Sequence, residues 1–138
     1  MNKNLDEYLN RQKIYEFYGY DLEKEKDFVI NESLPINGKI LEAGTGKGIF
    51  TMALAKKGYS VISFDISDEA LKIAKENILN ANLEKFIDLK KENGENLSFE
   101  NECFGTIFSV NTFHHLENPF IFLDELIRVL KKNGKIIL

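Results

Sequence analysis

Three glycines spaced two positions apart, Gly44, Gly46 and Gly48, follow a short apolar run and precede a segment of helical character. Glycine lets the backbone bend sharply, and it lets the backbone approach a ligand closely because no Cβ stands in the way. Residues 39–50 therefore predict a strand, a tight turn and a helix that bind a nucleotide-like ligand.

Two other glycine motifs fit this turn less well. A phosphate-binding P-loop requires a further glycine at the position of Leu41 and a Ser or Thr after Lys47, where Gly48 stands. A dinucleotide fingerprint requires its third glycine at the position of Ile49. The P-loop is excluded, whereas a NAD-dependent oxidoreductase stays open as a weaker alternative.

A carboxylate at the end of the second predicted strand is the next candidate. Asp65 follows Gly44 by 21 positions, beside the glycine turn, where a carboxylate can accept hydrogen bonds from both ribose hydroxyls of an adenosine. The structural alternative is an aspartate that caps the turn before Ser67. No arginine follows closely, so a dinucleotide at this position would be NAD rather than NADP.

The two histidines, His114 and His115, are adjacent. Either could act near neutral pH as a general base for an oxygen or nitrogen nucleophile, and we take His114 as the candidate. The alternative is that one packs on the sheet and the other forms a local hydrogen bond. A metal site is not predicted, because adjacent histidines do not readily share one ion and no third ligand has suitable spacing.

Hydrophobic periodicity predicts the elements that hold these residues. Two helices over 5–20 and 21–33 come first, and four of the five tyrosines fall in the first twenty residues. We expect this aromatic segment either to pack on the domain or to form a lid over the ligand. The later elements, in chain order, are a strand before the glycine turn, a helix over 48–57, a strand over 59–64, a helix over 68–80 capped by Ser67, strands over 85–89 and 104–110, a helix from Asn118-Pro119 to Lys132, and a strand over 135–138. This alternation predicts an α/β fold with a doubly wound parallel sheet of about five strands and helices on both faces.

Composition limits the classes of partner. With 138 residues, a net charge of −4 and one cysteine, Cys103, the chain predicts one sheet domain with no nucleic-acid footprint and no internal disulfide. No leader sequence or 18-residue apolar span is visible. We therefore expect a cytoplasmic protein that binds neither nucleic acid nor membrane.

The glycine turn with Glu42 two positions before it resembles motif I of the class I S-adenosylmethionine-dependent methyltransferases. Glu-Asn-Gly-Glu-Asn-Leu-Ser-Phe at 92–99 is similar to the family's Gly-Asp-Ala-Glu-x-Leu-Pro-Phe, and Phe-Gly-Thr-Ile at 104–107 to its Phe-Asp-x-Ile. Ser-Val-Asn-Thr-Phe-His-His-Leu at 109–116 also follows the family pattern. Asn93 and Gly105 replace two expected aspartates. The resemblance covers about residues 38–138 and is strongest to the small-molecule, ubiquinone-biosynthesis-like type.

The resemblance implies S-adenosylmethionine as cofactor and a small molecule as methyl acceptor. It implies that Glu42 orients the cofactor's ammonium, that Asp65 holds the ribose, that Asn93 and Gly94 border the adenine, and that Asn111 lies near the methionine. The cofactor-binding residues so assigned are Glu42, Gly44, Gly46, Asp65, Ile66, Asn93, Gly94 and Asn111. The departures at Asn93 and Gly105 leave open a non-catalytic subunit that binds the cofactor without turnover.

The family resemblance also sets expectations for the organisation of the chain. We expect an N-terminal helical segment over 1–36 and a Rossmann-like cofactor-binding domain over 37–138 that lacks the family's usual sixth and seventh strands. The chain is then expected to be a fragment of a longer protein or a short protein that dimerises. In both cases an exposed fifth strand with an apolar end favours self-association.

Overall fold

Two helices begin the chain in the computed structural model of the protein, which describes residues 3–138. They are α1 (Lys3–Phe17) and α2 (Leu22–Glu32), and they belong to a unit that ends at Leu34. Asp21 caps α2, because its carboxylate accepts hydrogen bonds from the first free amides of the helix. Within this unit, the Tyr8 hydroxyl donates to Glu23 Oε1 at 2.8 Å and accepts from Lys26 Nζ at 2.5 Å. Residues 1 and 2 of the predicted N-terminal segment lie outside the described residues.

The second unit, Pro35–Leu138, is built on five parallel strands. They are β1 (Ile40–Ala43), β2 (Val61–Asp65), β3 (Ile87–Lys91), β4 (Phe104–Phe108) and β5 (Leu130–Ile137), in the spatial order β3-β2-β1-β4-β5. Because the strand order reverses between β1 and β4, a crevice opens at their carboxyl ends. The predicted α/β fold with a doubly wound sheet is confirmed.

Helices connect the strands and cover both faces of the sheet. They are α3 (Ile49–Lys56), α4 (Asp68–Asn80) and α5 (Pro119–Val129). Leu41 and Ala43 join a buried apolar cluster with α5 residues such as Leu126, whereas Glu42 contacts Thr51 of α3. Since neighbouring residues of a strand point to opposite faces, α3 and α5 lie on opposite sides of β1.

The end of α5 differs from the prediction. The helix ends at Val129 instead of Lys132, and β5 begins at Leu130 instead of residue 135. Leu130 already pairs with Phe104, and the register then shifts so that Lys135 pairs with Thr106. Pairing with β4 thus stops the helix early, and residues 131–134 bulge out of the strand.

Asn118 has a different role from the predicted helix cap. It precedes Pro119 of α5, but its side chain makes no capping hydrogen bond. The side-chain amide instead donates to Glu95 at 3.3 Å. Ser67, by contrast, caps α4 as predicted, because its hydroxyl accepts from the amide of Ala70.

Candidate functional site

A cavity of about 720 Å³ opens at the carboxyl ends of β1, β2 and β4, within the range typical of small-molecule sites. It brings together seven of the residues predicted from the sequence, namely Gly44, Gly46, Asp65, Ile66, Asn93, Gly94 and Asn111. Two predicted residues, Glu42 and His114, are not among the described residues that line it. His115, which the sequence offered as a possible base beside the chosen candidate His114, also lines the cavity. The lining residues that the sequence did not single out are Phe64, Glu92, Glu95, Thr112, Leu116, Glu117 and Phe122.

Hydrogen bonds to the end of β2 hold the glycine turn in place. The amides of Gly44 and Thr45 both donate to the carbonyl of Phe64, at 3.0 and 2.8 Å. The amide of Gly46 donates to Asp65 Oδ2 at 2.9 Å. The end of β2 therefore fixes the position of the turn before any ligand arrives.

The first two glycines of the turn have different reasons to be glycine. Both have positive φ, +88° at Gly44 and +51° at Gly46, which disfavours other residues. A Cβ on Gly44 would stand 2.4 Å from Thr112 Oγ1, whereas a Cβ on Gly46 would have nothing within 4 Å. Gly46 therefore leaves space for a ligand, as the sequence predicted for both, but the space beside Gly44 is filled by Thr112.

Asp65 has the turn-stabilising role that the sequence offered as the structural alternative, and it also lines the cavity. Its Oδ1 accepts from the amide of Ser67 at 3.0 Å, and its Oδ2 accepts from Gly46. A carboxylate oxygen has two lone pairs, so each oxygen can accept one further hydrogen bond. Since Asp65 is half-buried and lines the cavity, these remaining acceptors are available to a pair of hydroxyls.

Glu42 lies beneath the turn rather than in the cavity. Its side chain is 2 % exposed, and its Oε2 accepts from the hydroxyls of Thr51 and Ser63, the latter at 2.5 Å. Thr51 is in turn 2.9 Å from the hydroxyl of Thr45 inside the turn. Burial raises the pKa of Glu42 to about 7, although hydrogen bonds from Ser63 and Thr51 oppose that rise.

The loop after β3 forms another wall of the cavity. Asn93 Oδ1 accepts from the amide of Glu95 at 3.0 Å and so stabilises the loop's own turn. A Cβ on Gly94 would lie 2.4 Å from the ring of Phe122. Gly94 therefore allows the loop to pack closely on α5, and the Phe122 ring forms part of the wall.

The structure distinguishes the two histidines by their surroundings, although their ring centroids are only 3.9 Å apart. Both are exposed within the short 3₁₀ turn Phe113–His115, but His115 lines the cavity and His114 does not. His115 is therefore better placed than His114 to meet a ligand. No group of three metal-ligating side chains occurs in the part of the chain that the structure describes.

The unusual glycine at position 105 has a structural cause. A Cβ there would lie 2.3 Å from the carbonyl oxygen of Asn37, in the turn that leads into β1. This contact is at the amino end of β4, opposite the cavity. The departure from the family pattern at Gly105 is thus explained by packing and does not alter the site.

Comparison with known proteins agrees with this geometry. The family described as "Methyltransferase domain" matches residues 41–138. A release factor glutamine methyltransferase of Streptococcus pneumoniae is 41% identical over 69 residues, which are 49% of this chain and 25% of that protein. A ubiquinone biosynthesis O-methyltransferase of Pelagibacter ubique is 32% identical over 111 residues, which are 79% of this chain and 45% of that protein. The structure of a SAM-dependent methyltransferase from Aquifex aeolicus superposes with a TM-score of 0.68 at 29% identity and covers 77% of this chain and 58% of that one.

The fold and the site define an α/β protein of the Rossmann-like, doubly wound class. Within that class, the chain belongs to the methyltransferase-domain family, whose match covers most of its length. The resemblance predicted from the sequence is confirmed, and nothing supports the oxidoreductase alternative. The chain spans half or less of the length of the first curated relatives that it matches. None of the helices within residues 3–138 is long and apolar enough to cross a membrane.

Proposed function

We propose that this domain binds S-adenosylmethionine and transfers its methyl group to a small-molecule acceptor. The observation that supports the proposal best is Asp65, which lies on the cavity beside the glycine turn with one acceptor position left on each oxygen. Two free acceptors on one carboxylate suit the adjacent hydroxyls of a ribose. Gly46 has no neighbour where a Cβ would stand, so the ligand can approach the backbone there.

The charge of the cavity supports this cofactor over a dinucleotide. The lining residues that the structure describes include four carboxylates, those of Asp65, Glu92, Glu95 and Glu117, and neither lysine nor arginine. The sulfonium and ammonium of S-adenosylmethionine carry positive charge, which acidic surroundings stabilise. The pyrophosphate of a dinucleotide would instead be repelled.

The proposed chemistry is a direct displacement. S-adenosylmethionine, when bound, supplies a methyl group on a positively charged sulfur. The side chains then have to hold the acceptor in line with the methyl group and exclude water. Correct alignment of the two reactants by itself lowers the activation barrier of the transfer substantially. For an acceptor hydroxyl or amine, we propose that His115 takes up the proton, because it is the histidine that lines the cavity.

Titration calorimetry with S-adenosylmethionine, S-adenosylhomocysteine and NAD tests the proposal. Asp65→Ala is expected to cost about 1.5 to 3 kcal/mol, or about tenfold to a hundredfold in affinity for S-adenosylhomocysteine, through loss of charge-assisted hydrogen bonds. Asp68→Ala is the matched control, since Asp68 is exposed, pairs with Lys91 and does not line the cavity. Equal affinities of a folded Asp65→Ala variant and the wild type would rule out this assignment, and tighter binding of NAD would favour an oxidoreductase.

A second candidate function is cofactor binding without turnover. It is favoured by Asn93, an uncharged residue at the position where the resemblance implies a carboxylate facing adenine. The side-chain oxygen of Asn93, Oδ1, also already accepts from the amide of Glu95. Release of S-adenosylhomocysteine in the presence of a panel of phenol and amine acceptors would identify an enzyme, whereas binding without release would identify the non-catalytic subunit.

We further propose that the N-terminal segment, residues 1–36, acts as a lid on the domain formed by residues 37–138. Its support is the number of exposed aromatic side chains on the first unit, namely Tyr15, Phe17, Tyr18, Tyr20 and Phe28. Large aromatic side chains that stay exposed are characteristic of binding surfaces. The proposal requires that these side chains meet cofactor or acceptor when the site is filled.

Self-association and location are also proposals. β5 is an outer strand of the sheet as described, and Leu138, the residue after it, is 64 % exposed. Such an edge can pair with a second copy of the chain.

The net charge of −4 argues against nucleic acid as a partner. The lone cysteine, Cys103, supports a cytoplasmic location.

A further inference from the structure

The side chain of Thr112 joins two segments of the cavity wall that come from different strands. Its hydroxyl donates to the carbonyl of Ala43 at 3.0 Å. Ala43 is the last residue of β1 and lies beyond the last β1–β4 register pair, Glu42 with Phe108. Its carbonyl is therefore satisfied by hydroxyls from the segment after β4, Thr112 and, at 3.4 Å, Ser109.

The same side chain fills the space beside the first glycine of the turn. A Cβ on Gly44 would lie 2.4 Å from the hydroxyl oxygen of Thr112 and 2.6 Å from its methyl carbon. Thr112 thus packs flat against the backbone of the glycine turn. The lack of a side chain at Gly44 is what permits this contact.

The residue before Thr112 has an unusual backbone. Asn111 lines the cavity and has a φ of +59°, a conformation that asparagine tolerates but does not prefer. Such a conformation persists where the surrounding structure fixes it. The hydrogen bond and packing of Thr112, together with the longer hydrogen bond of Ser109, fix this segment to β1.

We propose that Thr112 is a positioning residue that holds Asn111 and the glycine turn at a fixed separation and thereby sets the affinity for cofactor. The proposal rests on the proposed function for the identity of the ligand. Thr112 acts through its neighbours, because its hydroxyl is directed at the Ala43 carbonyl. Removing that hydroxyl leaves the carbonyl without its stronger donor and frees the two segments to separate.

The test compares Thr112→Val with Thr106→Val. Both threonines donate to a backbone carbonyl, Thr106 to that of Asn37 at 3.1 Å, but Thr106 lies near the amino end of the sheet and does not line the cavity. Both variants are expected to be less stable than the wild type. Thr112→Val is expected to raise the Kd for S-adenosylhomocysteine about tenfold, consistent with the loss of one hydrogen bond, whereas Thr106→Val leaves the Kd within about twofold.

Thr112→Ser keeps the donor and removes only the methyl group, so it is expected to retain wild-type affinity. A second readout needs no ligand: amide hydrogen exchange at Gly44 and Thr45 should accelerate in Thr112→Val and not in Thr106→Val. If Thr112→Val does not fold, Thr112→Ala replaces it in both measurements.

Equal Kd values for Thr112→Val and the wild type, or a Thr112→Ser variant as weak as Thr112→Val, would overturn the positioning role. A wild-type protein that binds no S-adenosylhomocysteine would instead refute the proposed function, and the exchange rates would still decide the role of Thr112.

Discussion

Replacing Glu42 with glutamine is expected to stabilise the protein at alkaline pH and to leave its stability unchanged in acid. Burial raises the pKa of Glu42 from 4.5 to about 7 in the folded protein. The folded state therefore keeps a proton that the unfolded state has already released between these two pH values. By linkage, the free energy of unfolding falls as the pH rises from about 4.5 to about 7 and then levels off.

The size of the effect follows from the pKa difference. A pKa raised from 4.5 to about 7 corresponds to about 3 kcal/mol, because a tenfold change in an equilibrium constant is worth about 1.4 kcal/mol. Glutamine stays neutral at all pH values and has nearly the same shape. Thr51 and Ser63 contact Glu42 through hydroxyls, which can donate to the amide oxygen or accept from the amide nitrogen. Glu42→Gln should thus exceed the wild type by up to about 3 kcal/mol at pH 8 and match it near pH 4.

Urea unfolding followed by circular dichroism measures this difference, since the chain has no tryptophan for fluorescence. Glu125→Gln is a control of opposite sign. The Arg128 guanidinium lowers the pKa of Glu125, and the two side chains are 2.7 Å apart. The ion pair therefore stabilises the folded protein above the pKa that Glu125 has in the unfolded chain. This stabilisation is lost as the pH falls through the lower pKa of the folded protein. Glu125→Gln should thus be destabilised most at neutral pH. Wild-type and Glu42→Gln curves that run parallel from pH 4 to pH 8 would refute the raised pKa of the buried Glu42 carboxyl.

Other perturbations test the site and the surfaces. His115→Ala should lower kcat for a hydroxyl or amine acceptor by about a hundredfold because the general base is lost, while His114→Ala should not; equal effects would remove the distinction between them. Deleting residues 1–34 should weaken cofactor binding if the aromatic segment is a lid, and circular dichroism melts would show a loss of thermal stability alone if it only packs on the domain. Light scattering should show a mass that rises with concentration, and Leu138→Lys should suppress the rise by placing a charge directly after β5; a constant monomeric mass for the wild type would disprove pairing through this edge.

The sheet and part of the cavity lining could be predicted because their signals are local. Gly44, Gly46 and Asp65 stand at strand ends, and parallel strands bring their carboxyl ends to one edge of a sheet. The predicted end of α5 was wrong by three residues. The helical pattern continues to Lys132, but the pairing of Leu130 with Phe104 overrides it. Tertiary pairing of this kind has no local sequence signal.

The role of individual side chains was harder to predict than their position. Glu42 stands beside the glycine turn in sequence, but the alternation of β1 directs it away from the Leu41 cluster and toward α3. A strand buried on both faces gives no hydrophobic alternation from which this orientation could be inferred. The sequence contained one indirect signal for the contact of Thr112, namely the glycine at position 44. From the sequence alone, this glycine is explained by the ligand.

The bulge in β5 has a consequence for changes in chain length. Between the paired residues Leu130 and Lys135 the strand contains four residues where β4 has one, so the ladder already tolerates surplus backbone at this point. The bulge adjoins the beginning of β4, at the opposite end of the sheet from Asp65 and the glycine turn. Lys132 and Asn133 are exposed, so a short epitope or a fluorophore-bearing peptide inserted between them can extend the loop without shifting the register from Lys135 onward. This tip is therefore a suitable attachment point for immobilising or labelling the protein while the cavity stays accessible.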